Sequence, residues 1–153
     1  MRLLVLLLVM VGQLQAKELN FHGVTLQLPD TTEVINERVN ELEKVVQLNI
    51  GREKMLGIMI VAQSTTPPEL LHQYKLLSLH GQKEVSEISH SAMTLSDCKA
   101  DKYSYTVTED GFSYYAADYA IFCTDKYIQL NLMDSNEHTF GVFNQLLSLV
   151  KIE

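Results

Sequence analysis

The clearest chemistry in the sequence belongs to its two cysteines, Cys98 and Cys123, which could form a disulfide bond. Asp110-Gly111 is typical of a two-residue hairpin turn, in which both residues take a positive φ. If these residues form the turn, the numbers of facing residues add up to 221, and the two cysteines satisfy that sum. Their Cα atoms would form a non-hydrogen-bonded pair ~4.5 Å apart, which a disulfide can bridge. The register therefore predicts a Cys98–Cys123 bond; the alternative is two free thiols in one sheet.

The five histidines show no spacing that is typical of a metal site. His72 and His80 lie eight positions apart on one predicted helix, about 12 Å in rise, which is too far to share an ion. Ser96-Asp97-Cys98-Lys99 fits the SxxK pattern of a serine nucleophile, but the SDN and KTG motifs that complete such a site are absent from the sequence. We therefore predict a protein with no catalytic residue, no metal site and no cofactor.

Tyrosines are clustered, with six of the seven lying between positions 103 and 127. The register of the predicted hairpin places Tyr103, Tyr105 and Tyr114 on one face of the sheet, and Tyr115 and Tyr119 on the other. Tyrosine is common in half-buried strands, so sheet packing is one interpretation. Tyrosine is also enriched at protein interfaces, so the other interpretation is a recognition surface. The candidate binding face consists of Tyr103, Tyr105, Tyr114, Tyr115 and Tyr119.

The charge balance argues against partners that need a basic surface. The chain has 12 Lys and Arg residues against 19 Asp and Glu residues, a formal net charge of −7 at pH 7. A protein that neutralises phosphate groups needs clustered Lys and Arg, which this sequence lacks. We therefore expect no nucleic-acid partner and no docking to anionic lipid.

Residues 1–16 have the order of a secretory signal peptide. Arg2 gives a positive start, Leu3 to Val11 is an unbroken apolar run, and a polar stretch ends in the small residue Ala16 before Lys17. The apolar run is about half the ~20 residues that span a bilayer, so cleavage is favoured over a membrane anchor. The sequence predicts a single globular domain over 17–153, periplasmic or secreted, with no stable membrane insertion after cleavage.

Helical spacing occurs in three segments. Ile35, Val39 and Leu42 follow at i, i+4 and i+7, which predicts a short helix from 32 to about 42. Thr66 as a cap, prolines in the first turn and Glu69 predict a helix over 67–80. Apolar residues repeat at helical spacing over 135–150, which predicts a closing helix. The side of the second helix expected to face the core consists of Leu70, Leu71, Tyr74, Leu77 and Ser78.

Alternating and β-branched segments predict strands over most of the remaining chain. They cover residues 21–28, 44–50, 55–62, 85–95, 99–107, 114–122 and 127–132. Strands that follow one another across short turns form an antiparallel sheet. The predicted fold class is therefore α+β: an antiparallel β-sheet with two main helices, over about 67–80 and 135–150, packed on it.

This order of elements resembles the Mog1/PsbP-like α+β fold. The features that match are an opening strand that ends in Leu28-Pro29, a hairpin, the helix from Pro67, several antiparallel strands, and a last helix carrying Phe140 and Phe143. Proteins of that fold mostly bind other proteins or act as assembly factors. The resemblance implies a binding role and supplies no site residue.

Three functions are compatible with these observations. The first is an exported, non-catalytic protein-binding or accessory protein whose partner is another protein, held by a sheet face or an edge. The second is a periplasmic immunity protein or inhibitor of a toxin or hydrolase, since an acidic surface suits a basic target cleft. The third is a carrier of a small apolar ligand, suggested by Met55, Met59, Met93 and the leucine-rich segment 70–79.

Overall fold

The computed structural model of the chain describes residues 17–50, 54–63, 66–134, 147 and 150–153. These residues form ten strands and one helix of two or more turns. The elements are β1 (Lys17–Phe21), β2 (Val24–Leu28), β3 (Glu33–Val39), β4 (Glu43–Asn49), β5 (Lys54–Ala62), α1 (Pro68–His80), β6 (Val85–Leu95), β7 (Cys98–Glu109), β8 (Phe112–Phe122), β9 (Lys126–Asp134) and β10 (Val150–Ile152). Over these ranges no helix has the length and apolar character needed to cross a membrane.

The strands form two antiparallel sheets. One has the order β1-β2-β10 and the other the order β3-β4-β5-β9-β8-β7-β6, so β3 and β6 are the edges of the larger sheet. One face of the larger sheet, here called the inner face, packs against the three-stranded sheet through a core of Leu, Ile and Val side chains. The opposite face, here called the helix face, packs against α1 through a smaller core that contains Leu79, Tyr103 and Tyr105. The α+β class is confirmed.

The predicted opening strand is a hairpin rather than a single strand. His22 and Gly23 have φ values of 46° and 74° and turn the chain between β1 and β2. A Cβ on Gly23 would lie 3.0 Å from the carbonyl oxygen of Glu153, so a side chain would also crowd this turn. Val24, Leu26 and Leu28 alternate along β2, and all three are buried between the sheets.

The helix predicted from 32 to 42 is wrong, because this segment contains the edge strand β3. Ile35, Val39 and Leu42 fit helical spacing, but Val34, Ile35 and Val39 are β-branched and favour an extended backbone. Pairing with β4 then decides the conformation, with one register shift between Val34 and Asn36.

Of the two main helices predicted, only α1 can be assessed over its length. The predicted helix over 135–150 lies almost entirely outside the described residues. Among those that are described, Leu147 is helical and buried, while Val150 belongs to strand β10. Over the described residues the α+β class therefore holds, with one helix of two or more turns and a large share of strand, and the prediction of two main helices is not supported.

The predicted helix over 67–80 is confirmed as α1, but its ends and its orientation differ from expectation. The N-cap is Pro67 with no side-chain cap, so the predicted Thr66 cap is wrong. At the other end of the helix, Gly81 is right-handed at φ −80°. Leu79 is buried, with Leu71 and Leu76 beside it, whereas Leu70, Tyr74 and Leu77 of the predicted core stripe are exposed. The helix has apolar side chains on two sides. Helical periodicity identifies both sides, but only the contacts in the folded protein determine which one faces the core.

The hairpin register and the disulfide are confirmed. The residue numbers of cross-strand partners in β7 and β8 add up to 221, from Glu109 and Phe112 through to Lys99 and Phe122, and no bulge interrupts the pairing. Asp110 and Gly111 have φ values of 51° and 82°, as a two-residue turn of this kind requires. Cys98 and Cys123 are bonded, with their Cα atoms 4.6 Å apart.

Candidate functional site

The five tyrosines of the predicted binding face do not form one surface. Tyr103 and Tyr105 are buried on the helix face beneath α1, and Tyr119 is buried on the inner face. Tyr114 and Tyr115 are half-buried and lie on opposite faces of β8. The register assigned each tyrosine to its face correctly, but it could not show that both faces are covered in this part of the sheet.

Burial changes the ionisation of these phenols. It raises the pKa of Tyr103 well above the ordinary value, and the neighbouring carboxylate of Asp101 adds to the shift. The pKa of Tyr105 is raised in the same way, by burial and then by Asp118. Burial alone raises the pKa of Tyr119 to about 12, and burial together with Asp118 raises that of Tyr127 to about 12. These hydroxyls therefore stay neutral and can act as hydrogen-bond donors at physiological pH.

A buried carboxylate, Asp118 on β8, links the helix face of the sheet to α1. Its side chain is 2% exposed and forms an ion pair with the ammonium group of Lys75. Tyr105 donates a hydrogen bond of 2.9 Å to Asp118 Oδ2, and the side-chain amide of Asn131 donates to Oδ1. A buried charge is tolerated when it is paired and hydrogen-bonded, and Asp118 meets both conditions.

A second polar cluster lies beside α1 and consists of His72 on α1, His90 on β6 and Asp101 on β7. His90 Nε2 lies 2.8 Å from Asp101 Oδ1, and His72 Nδ1 lies 3.8 Å from Asp101 Oδ2. One ligand atom from each of the three lies within 4.8 Å of the other two. His72 also hydrogen-bonds the buried hydroxyl of Tyr103. Two imidazoles therefore converge on one carboxylate.

This cluster opens into a groove of about 480 Å³ between α1 and strands β6, β7 and β8. The groove is also lined by Glu69, Lys99, Met93 and Phe122. A second groove of about 380 Å³ lies where α1 does not cover the sheet, and its lining includes Gly57, Met59, Arg38 and Asn131. The linings of both grooves combine apolar side chains with polar and charged ones, so the carrier hypothesis stays a prediction.

The outward side of α1 carries large apolar side chains. Tyr74 is 59% exposed, Leu77 is 70% exposed, and Leu70 lies beside them at 37%. The three are spaced at i, i+4 and i+7 and therefore share one side of the helix. Tyr74 is the most exposed of the seven tyrosines, and it was not in the predicted binding face. We call Leu70, Tyr74 and Leu77 the α1 face.

Sequence reasoning missed both the histidine cluster and the α1 face. His72, His90 and Asp101 come from three separate elements, so no short motif could reveal them. The one available signal was the β6–β7 register, in which Ala92 pairs with Asp101 and places His90 diagonally adjacent. For the α1 face the helical spacing was visible, but it was interpreted as the core side.

No protein-family model matches the sequence, and no curated protein matches it either. Solved structures do match. Cyanobacterial PsbP (CyanoP) from Synechocystis sp. PCC 6803 is 13% identical with a TM-score of 0.66, over 94% of this chain and 95% of its own. LpqN of Mycobacterium tuberculosis, described as involved in cell envelope biogenesis, is 14% identical with a TM-score of 0.60, over 90% and 85% of the two chains. The Saccharomyces cerevisiae Ran-binding protein Mog1p is 8% identical with a TM-score of 0.58, over 91% and 96%.

These likenesses show that the chain has the Mog1/PsbP-like fold. At such low identity they show the fold alone, and they transfer no site residue.

Proposed function

We propose that this chain is an exported, non-catalytic accessory protein that binds another protein through the α1 face. The observation that carries the proposal is the exposure of Leu70, Tyr74 and Leu77 on one side of α1. Export is supported by the charged, apolar and polar order of residues 1–16.

The α1 face is available because the helix uses its other side to hold the sheet. Leu71, Leu76 and Leu79 pack on the helix face, and Lys75 forms an ion pair with Asp118. The α1 face is therefore left exposed on the other side of the helix. An aromatic residue between two leucines at i, i+4 and i+7 is the arrangement that inserts into an apolar groove of a partner.

The chemistry of the chain restricts the partner. Residues 17–153 contain 11 basic and 19 acidic side chains, so long-range attraction favours a protein with a basic surface. Glu69 is exposed in the first turn of α1, next to Leu70. We therefore expect the partner to present an apolar groove for Tyr74 with positive charge at its rim.

Site-specific photocrosslinking in the producing cell tests this proposal. A photoreactive phenylalanine analogue at position 74 should give a discrete adduct with one protein, because the side chain would be inserted in the partner. The matched control carries the same analogue at Phe112, which is 66% exposed at the β7–β8 turn. No adduct at position 74, the same adducts at both positions, or an adduct with a second copy of this chain would each contradict the proposal.

Affinity provides the second half of the test once the crosslinked protein is known. Replacing Tyr74 with Ala should weaken binding by on the order of 2 kcal/mol, as expected for a central aromatic anchor. Phe112→Ala should leave the affinity unchanged. Rising salt should slow association if the rim of the partner is basic.

A further inference from the structure

We propose that His72, His90 and Asp101 form a binding site for a divalent transition-metal ion, with Zn²⁺ as the preferred ion. This site goes beyond the proposed partner binding, because it lies in the groove beside α1 and uses none of the residues of the α1 face. Its ligands come from α1, β6 and β7, so the tertiary fold alone assembles it.

The distances between the three side chains suit one small ion. Tetrahedral Zn²⁺ with bonds of about 2.0–2.1 Å keeps its ligand atoms roughly 3.3 Å apart. The measured separations of 2.8 Å from His90 Nε2 to Asp101 and 3.8 Å from His72 Nδ1 to Asp101 lie on either side of that value. The imidazole rings of His72 and His90 have their centroids 4.6 Å apart. Small side-chain rotations would therefore bring all three groups to bonding distance.

The types of donor select the class of ion. Two imidazoles and one carboxylate are borderline ligands that favour Zn²⁺ and its transition-metal neighbours over Mg²⁺ and Ca²⁺, which prefer oxygen. Three protein ligands leave at least one coordination position for water or for a group from another molecule. The side chains of His72, His90 and Asp101 are 28%, 34% and 21% exposed, so an ion and its water can enter from the groove.

Neighbouring contacts act on the ligands and on the helix that carries His72. The hydroxyl of the buried Tyr103 hydrogen-bonds Nδ1 of His72, the ring nitrogen that lies 3.8 Å from Asp101, so an ion bound at Nδ1 would replace this hydrogen bond. The Lys75–Asp118 ion pair, one turn further along α1, fixes the helix against the sheet. Glu69 and Lys99 line the same groove with opposite charges, and Asp101 supplies the negative charge beside the two imidazoles.

The test is a titration of the purified, untagged full chain with Zn²⁺, followed by calorimetry, and with Co²⁺, followed by its visible absorption. We expect one high-affinity ion per chain and a Co²⁺ spectrum of a nitrogen- and oxygen-ligated site. His90→Ala and Asp101→Asn should each weaken Zn²⁺ binding at least about tenfold, and His72→Ala should do the same. The matched control is His80→Ala, an exposed histidine at the end of α1, which should bind as the wild type does.

Three results would overturn the metal site. They are no Zn²⁺ uptake by the wild type, wild-type affinity in His90→Ala and Asp101→Asn, or an equal loss in His80→Ala. Circular dichroism of each variant guards against misfolding, and His90→Ala provides the safest comparison because this side chain is partly exposed on an edge strand. The titration uses the protein alone, so its result is independent of whether the α1 face binds a partner.

Discussion

The ammonium group of Lys75 on α1 pairs with the carboxylate of Asp118 on β8, at a point where the carboxylate is almost completely buried. This contact joins the helix to the middle of the seven-stranded sheet. It also orients α1, because it holds the Lys75 side of the helix down and leaves Tyr74, the adjacent residue, facing outward.

Removing Lys75 should destabilise the fold. Lys75→Ala leaves the buried carboxylate of Asp118 without its counter-charge, a change that costs 3–5 kcal/mol in fully buried pairs. Because a quarter of the Lys75 side chain is exposed, we expect a loss of about 2 kcal/mol in the free energy of unfolding. Urea denaturation measures it. Lys83→Ala, at an exposed lysine after α1, should change stability by less than about 0.5 kcal/mol, and equal midpoints for the two variants would contradict the prediction.

The disulfide should contribute substantially to stability. The Cys98–Cys123 bond closes a loop with a sequence separation of 25 residues, for which the lost chain entropy of the unfolded state corresponds to about 3 kcal/mol. Replacing both cysteines with Ala should lower the free energy of unfolding by about that amount. Denaturation with and without a reductant supplies the comparison, since a reductant should affect the wild type and leave the double variant unchanged. A wild type insensitive to the reductant would count against this estimate.

Tyr74 and Tyr103 should respond oppositely to substitution. Tyr103 is fully buried, so Tyr103→Ala leaves a cavity and should lower stability by about 3–5 kcal/mol, as for other large aromatic residues. Tyr74 is 59% exposed, so Tyr74→Ala should change stability by less than about 0.5 kcal/mol. Thermal melts of the two variants decide the matter. A Tyr74→Ala protein that melts as early as Tyr103→Ala would place Tyr74 in the core and remove the α1 face as a candidate.

Tyr119 should make stability depend on alkaline pH. Burial raises the pKa of this phenol from 10 to about 12 in the folded protein. The folded state therefore retains a proton that the unfolded state loses, and the resulting stability is present below pH 10 and disappears as the pH rises toward 12. Tyr119→Phe keeps the ring and removes the titration. Between pH 8 and pH 11 the wild type should lose roughly 1 kcal/mol more stability than the variant, measured by urea denaturation. An equal loss of stability in the wild type and in Tyr119→Phe would show that the pKa of Tyr119 is the same in the folded and unfolded states.

Export predicts a defined N-terminus. If residues 1–16 are a signal peptide, the mature chain begins at Lys17. Mass spectrometry of the protein from the envelope or culture fluid should show loss of the first sixteen residues. A protein in that fraction that still begins at Met1 would contradict this prediction.

Local features of the sequence were sufficient for several parts of the fold. Asp110-Gly111 determined the β7–β8 register because a two-residue turn with positive φ at both positions leaves one pairing. That register in turn located the disulfide between Cys98 and Cys123. Proline in the first turn located the start of α1 to within a residue.

The sequence by itself determined which residues lie on the same side of each element, because that depends on the periods of helix and strand. Only the tertiary structure decided which side is covered. Tyr103 and Tyr119 are buried on opposite faces because one lies under α1 and the other under the three-stranded sheet, while the α1 face points away from both. The cluster of His72, His90 and Asp101 has the same origin, since contacts between distant segments have no local period that a sequence could display.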